Sequence, residues 1–308
     1  MRNIAIIAKR EIKGYFTTPL AYIFIVIFLA MSGAFAFYIG GFFNREQASL
    51  ATFFLYHPWL YLMLVPAIAM RLWAEERKTG TIEILMTLPI STSEAVLGKY
   101  LAAWGFTGIA LTLTFPMWIT VNVLGEPDNG VILAGYLGSF FMAGAFLAIG
   151  SCISALTKNQ VIAFIVAATV CFLFTMSGLE LVLSFFRGWA PEILVRTIAS
   201  MSFLTHFGAI LKGVIDIRDL IFFGTLIAFW LFANVIIIDL KKAACSNALA
   251  GIHGTRETRR YGVGAGRCSF LRRQRFFQHH LPVGAPGPDP GKAVHPFQRH
   301  PESAGFQW

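Results

Sequence analysis

Residues 20–43 read LAYIFIVIFLAMSGAFAFYIGGFF, twenty-four positions without a charged side chain. A helix rises 1.5 Å per residue, so about 20 apolar residues cross the roughly 30 Å hydrocarbon layer of a bilayer. Strand alternation is absent, and in hydrocarbon the backbone has to satisfy its own hydrogen bonds, so a membrane-spanning helix is expected. Five further runs follow the same rule: residues 50–70, 100–124, 131–156, 161–179 and 220–238. The expected fold is therefore all-α: a polytopic membrane protein with six transmembrane helices, an N-terminal amphipathic interfacial helix and a disordered or artefactual C-terminal tail. The composition of the 308 residues agrees, with 56% hydrophobic, 13% charged and a mean hydropathy of +0.65. An ordinary soluble domain carries about 25% charged residues, so lipid has to cover part of this surface.

Lysine and arginine orient the runs. Arg2, Lys9, Arg10 and Lys13 precede the first; Arg71, Arg77, Lys78 and Lys99 lie between the second and third; Lys158, Lys241 and Lys242 fall on the same side. The opposite side has Arg45 in its first loop and none in residues 125–130. The long loop after the fifth run is the exception: Arg187, Arg196, Lys212 and Arg218 are offset there by Glu180, Glu192, Asp216 and Asp219. Both termini are expected in the cytoplasm.

The formal charge of +9 is mostly a property of the tail, since residues 1–244 carry a net +3 and residues 245–308 a net +6. No nucleic-acid partner is expected from it. The tail is rich in Arg, Pro and Gly and has no sustained periodicity, which reads as a disordered extension or as out-of-frame translation past an end near residues 243–244. Cys152 and Cys171 sit inside apolar runs and Cys245 and Cys268 in the tail, without a CxxC pair, so neither a zinc site nor a disulfide framework is expected. No secretory leader is expected either, because the first run is too long and no small-residue cleavage site follows it.

Three segments outside the runs carry information. In residues 3–16, Ile4, Ile7, Ala8, Ile12, Tyr15 and Phe16 share one helical face, with Lys9, Arg10 and Lys13 opposite. This reads as an interfacial helix, or as a simple lengthening of the first span. In residues 71–99, Thr81 can cap a short helix with Glu83 near its positive end. Ile82, Leu85 and Met86 then form an apolar knob, Pro89 stops the helix, and Ser91-Thr92-Ser93-Glu94 is a capping box for the next one. Such a knob either docks in a groove of a soluble partner or dips into lipid. Residues 180–219 read as one or two short helices on or in the outer leaflet.

The chemistry that is missing narrows the function. No Gly-x-x-x-x-Gly-Lys-Ser/Thr phosphate cradle occurs; Gly287 to Ala293 has the wrong spacing. The chain is thus expected not to be an enzyme, with no bound cofactor and no metal. No Asp, Glu, Lys or Arg lies inside a run, which speaks against an ion-coupled carrier. His57 and His206 lack a partner constellation for hydrolase chemistry. Pro66 and Pro116 permit kinks, and Gly105/Gly108, Ala134/Gly138 and Gly144/Ala148 offer small faces for close helix contact.

Residues 1–244 resemble the permease subunits of type-2, exporter-like ABC transporters. The resemblance rests on Glu75-Glu76-x-x-x-Gly80-Thr81-Ile82-Glu83-x-Leu85-Met86-x-x-Pro89-Ile90-Ser91, followed by Gly98-Lys99. It implies that residues 81–88 form a coupling helix that docks on a separate ABC ATPase, which uses ATP and Mg, and that a second permease subunit, identical or not, completes the assembly. Residues 71–99 would then be the cytoplasmic coupling loop and 180–219 an extracytoplasmic linker, in a bacterial inner membrane. His206, Gly213, Asp216, Arg218 and Asp219 in the linker resemble the gliding-motility and copper-enzyme-maturation permeases. Export of an unidentified, apolar-compatible substrate is the implied function. A non-transporting scaffold that assembles or extracts another membrane protein is the alternative, and an ion-coupled carrier the more distant one.

Overall fold

The computed structural model describes residues 2–45, 49–80, 90–187, 191–213 and 216–254. The chain divides after Arg256 into two units, and every described residue belongs to the first. That unit is helical, with no strand among the described residues. Helix α1 runs Arg2–Thr17 and α2 Pro19–Ala34, the latter continued by a π-helical turn at Phe35–Ile39. A single 3-10 turn, Phe42–Arg45, leads to α3, Ala51–Leu55, and α4, His57–Thr79. Then follow α5, Thr92–Thr112, α6, Phe115–Leu124, α7, Asn129–Leu156, and α8, Gln160–Met176. Three short helices, α9 (Glu180–Arg187), α10 (Glu192–Ser200) and α11 (Phe203–Ile210), precede α12, Ile217–Gly254.

Short polar side chains cap the starts of α5, α7 and α8. Ser91 and Glu94 form the complete capping box of α5. Asp128 Oδ1 accepts from the amides of Gly130 and Val131 at α7, and Asn159 Oδ1 from Val161 at α8. Proline sits in the first turn of α2, α4 and α6, where its missing N–H costs nothing. Pro116 thereby divides the run expected at 100–124 into α5 and α6, with Thr114 between them, whereas Pro66 stays inside α4.

Helix α7 is the centre of the bundle. It packs against α4, α5, α8, α11 and α12, and residues 142–155 are buried without a break. Its small residues let the neighbours approach. A Cβ on Gly150 would stand 2.5 Å from Ala69 Cβ of α4, and one on Gly135 would stand 2.6 Å from the Phe54 ring. Gly144 accommodates the Trp104 and Tyr100 side chains of α5, and Gly138 accommodates Ile210 of α11. The small faces expected at Gly138 and Gly144 therefore seat larger side chains from other helices, which is how close contact arises where lipid provides no driving force between helices.

Among the described residues four helices are long and apolar enough to cross a membrane: Pro19–Ile39, Thr92–Leu124, Asn129–Leu156 and Ile217–Ala243. A fifth span results if α10 and α11, which meet at a 59° bend, are taken together. The runs expected at 50–70 and 161–179 are helical but fall outside this set. Helix α4 carries Arg71, Glu75, Glu76, Arg77 and Lys78 in its last turns and His57 and two prolines in its apolar part; α8 has only 17 residues. Helix α12 continues past the compositional boundary near residue 244 as far as Gly254.

Candidate functional site

Segment 81–89, with Thr81, Ile82, Glu83, Leu85, Met86 and Pro89, lies outside the described residues. What frames it is described. Helix α4 ends at Gly80, whose φ of +77° is a left-handed conformation that suits glycine. Helix α5 begins at the Ser91 box. The stretch between is thus bounded by a C-cap and an N-cap, and α4 and α5 carry its two ends.

One buried cation ties these two helices to α1. Lys99 is 2% exposed, yet its ammonium donates to Glu76 Oε1 at 2.6 Å and pairs with Glu11 Oε1 at 3.4 Å. It also stands 5.4 Å from the centre of the Trp73 ring, a cation–π distance. Glu11 in turn holds Arg10 at 2.7 Å. Burial pushes the Glu11 carboxyl up, but Lys99 and Arg10 outweigh that and hold it below the ordinary value of 4.5. The adjacent glycine explains the pairing. A Cβ on Gly98 would meet Ile7 Cγ2 at 2.7 Å, so only glycine lets α1 lie close enough to α5 for Glu11 to reach Lys99. Further along the same contact, Tyr15 stacks on Phe106 with centroids 5.3 Å apart, and Asn3 donates to the Glu94 carboxylate at 3.2 Å.

Glu75 pairs with Arg71 one turn earlier at 2.9 Å. Lys9, Arg10 and Lys13 are exposed on α1, while Ile7 is buried and Ile4, Ala8, Ile12, Tyr15 and Phe16 are half-buried. The buried and half-buried side chains of α1 lie against α5 and α2, as Ile7 at Gly98, Tyr15 on Phe106 and Phe16 on Tyr22 show.

Above this hub, serines of α7 hold α4 and α12. Ser151 Oγ accepts from the Trp73 indole at 3.3 Å and from Asn234 Nδ2 at 2.8 Å. Ser154 Oγ accepts from the Trp73 and Ala74 amides and donates to the Met70 carbonyl. Ser139 bonds the Tyr61 hydroxyl at 2.8 Å. These serines are fully buried, and they are interhelical ties rather than a polar path. Sequence reading missed them, and it missed Glu11. A lone acid and scattered serines carry no spacing signal.

The linker residues form a second constellation. His206 Nδ1 lies 2.6 Å from Asp219 Oδ1 and Nε2 lies 2.8 Å from the Ser200 carbonyl oxygen. Both neighbours are acceptors, so the ring fills both bonds only when both nitrogens carry protons. The imidazole also stacks on Phe222 at 3.9 Å. Asp216 Oδ1 accepts from the Arg218 amide at 3.0 Å and starts α12, while Gly213 turns the chain with φ +83°. His206 thus pins α11 to α12 and to the end of α10. Asp219→Asn is expected to remove the charge-assisted part of this link, worth about 1 kcal/mol, and to raise hydrogen exchange across residues 201–213. Unchanged exchange there would assign the pin no structural weight.

Among the described residues no group of three or more His, Cys, Asp or Glu side chains is placed to hold a metal ion. The family model of the ABC-2 family transporter proteins matches residues 5–186. No curated protein matches the chain.

Proposed function

The chain belongs to the ABC-2 family of transporter proteins, and on that premise we propose that it is the membrane-spanning permease subunit of an ATP-driven exporter. The observation that carries the reading is the placement of Lys99. It joins α1, α4 and α5 beside the two caps that bound residues 81–89. A push on that segment is delivered to both helices at once, and through Glu11 to α1.

The proposed arrangement has six spans, both termini in the cytoplasm and a bacterial inner membrane as its location. Helix α4 is counted as a span because it packs against α7 and α8 within the bundle, and a helix so enclosed needs less apolar surface. Helix α8, at about 25 Å, spans with the help of its flanking residues. Helix α1 lies at the cytoplasmic interface, its Lys9, Arg10 and Lys13 toward headgroups. A separate ABC ATPase binds residues 81–88 and uses ATP and Mg, while this chain hydrolyses nothing. A second permease subunit completes the pair. The substrate is unidentified, and the apolar spans suit a hydrophobic one.

The test is charge insertion in the knob. Ile82→Glu and Leu85→Glu are each expected to cost at least about 2 kcal/mol of ATPase docking. Co-purification of a co-expressed cognate ATPase should fall, and stimulation of its turnover should be lost, with membrane insertion intact. Full coupling in both variants would take the docking role away from this segment.

A further inference from the structure

Helix α7 ends at Leu156, and its last carbonyls are covered by cations from two other helices. Arg77 of α4 donates to the carbonyl oxygens of Ala155 at 2.5 Å and Thr157 at 3.4 Å. Lys241 of α12 donates to those of Ala155 at 2.6 Å and Leu156 at 3.0 Å. Two charges on one oxygen stand within about 5 Å of each other. Both Arg77 and Lys158 are close enough to repel the Lys241 ammonium. Lys78 and Lys242 are exposed beside them.

Among the described residues the cluster has no acid paired with it. Among the described residues no carboxylate lies within ion-pair distance of Arg77, Lys158 or Lys241; Glu75 is held by Arg71, Glu76 by Lys99, and Asp239 accepts from Thr92. Capping a helix C-terminus explains one cation, since the helix end presents only roughly half a negative charge. Three cations leave a surplus of about two and a half charges there. The depth of the cluster is also defined. Helix α7 has no charged side chain along its length, α4 has none before Arg71, and α12 has none between Asp219 and Asp239. The cations therefore gather where α7 and α12 reach the end of their uncharged lengths, beside the charged last turns of α4, which is the level of lipid headgroups.

We propose that Arg77, Lys158 and Lys241 hold the phosphate group of an anionic lipid in the leaflet on this side. Two cations about 5 Å apart match a phosphate, and basic pockets between helices at a membrane face recognise such headgroups. The proposal needs a bilayer but no ATPase, so it stands or falls separately from the transport reading.

The full chain in an uncharged detergent, with phosphatidylglycerol or phosphatidylcholine added, provides the test by native mass spectrometry and thermal unfolding. Wild type is expected to retain phosphatidylglycerol roughly 10-fold over phosphatidylcholine and to unfold at a higher temperature with it. Arg77→Gln with Lys241→Gln should abolish both effects, and Lys158→Gln, at an exposed position outside the carbonyl contacts, should reduce them. Lys212→Gln, in the linker, should leave them intact. Equal retention of the two lipids, or a preference that survives in both cluster variants, would overturn the assignment. Equal protection by inorganic phosphate alone would also overturn it, giving the site to a free anion.

Discussion

Lys99→Met is expected to be the most damaging single change in the described part of the chain. It removes a buried ammonium from between Glu11 and Glu76 and leaves two carboxylates facing a site without its cation. Breaking a fully buried pair costs about 3–5 kcal/mol. Here each carboxylate keeps about a fifth of its side chain in solvent, so about 3 kcal/mol is the appropriate scale. Lys99→Arg, which keeps the charge, should recover part of this loss, because the guanidinium still reaches both acids but no longer as a compact point charge. The measurement is the thermal unfolding midpoint of the purified chain, with α1 followed by limited proteolysis. A Lys99→Met midpoint within a degree of wild type would remove the hub from the account.

The same hub carries a pH dependence of known sign. The Glu11 carboxyl is held below 4.5 in the folded chain. A group depressed on folding stabilises at pH above its unfolded value, and that contribution is lost as the pH falls from there through the lower folded value. Wild type should thus lose stability on acidification below about pH 4.5. In Lys99→Met the two acids repel, so acidification through that range should cost less or even stabilise. Parallel acid profiles would show that Lys99 is not the source of the shift.

Gly150→Val is expected to come second, through packing rather than charge. Any Cβ at position 150 meets Ala69 Cβ at 2.5 Å, far inside ordinary carbon–carbon contact. Ala69 is on a helix and has no flexible end to move aside. Helices α4 and α7 must separate, and the Trp73 and Ser151–Ser154 bonds one turn away lengthen with them. Overpacking of this kind costs about 1–3 kcal/mol, and β-branching adds strain in the helix. Gly150→Ala already brings the clash, and the helix-propensity gain of up to about 1 kcal/mol does not cancel it. Gly33→Ala is the control. A Cβ there meets nothing within 4 Å, so that variant should be neutral or slightly more stable. Equal midpoints for the two alanine variants would refute close packing at the α4–α7 crossing.

The features legible in the sequence were those set by neighbours a few residues apart. The apolar runs that became α2, α5 with α6, α7 and α12, the Ser91 and Glu94 box and the Pro116 break all follow from period, caps and proline. Each depends on residues no more than about four positions away. The family match to residues 5–186 agrees with the resemblance read from the motif around Gly80. Where composition was a poorer guide, the cause is tertiary. Helix α4 is apolar only over its first part, and its last turns carry the charges that meet α5 and α7, so it falls outside the helices long and apolar enough to cross.

The ties between helices were decided only in three dimensions. Lys99 meets Glu76 across 23 residues of sequence, Trp73 meets Ser151 across 78, and Asn234 meets Ser151 across 83. His206 and Asp219 were both singled out, but their pairing depends on how α11 folds back beside α12. A charged or hydroxyl side chain has no periodicity that names its partner. Which groups meet is decided by where glycines such as Gly98 and Gly150 let two backbones close to within a methyl group of each other, and that distance exists only once the bundle has assembled.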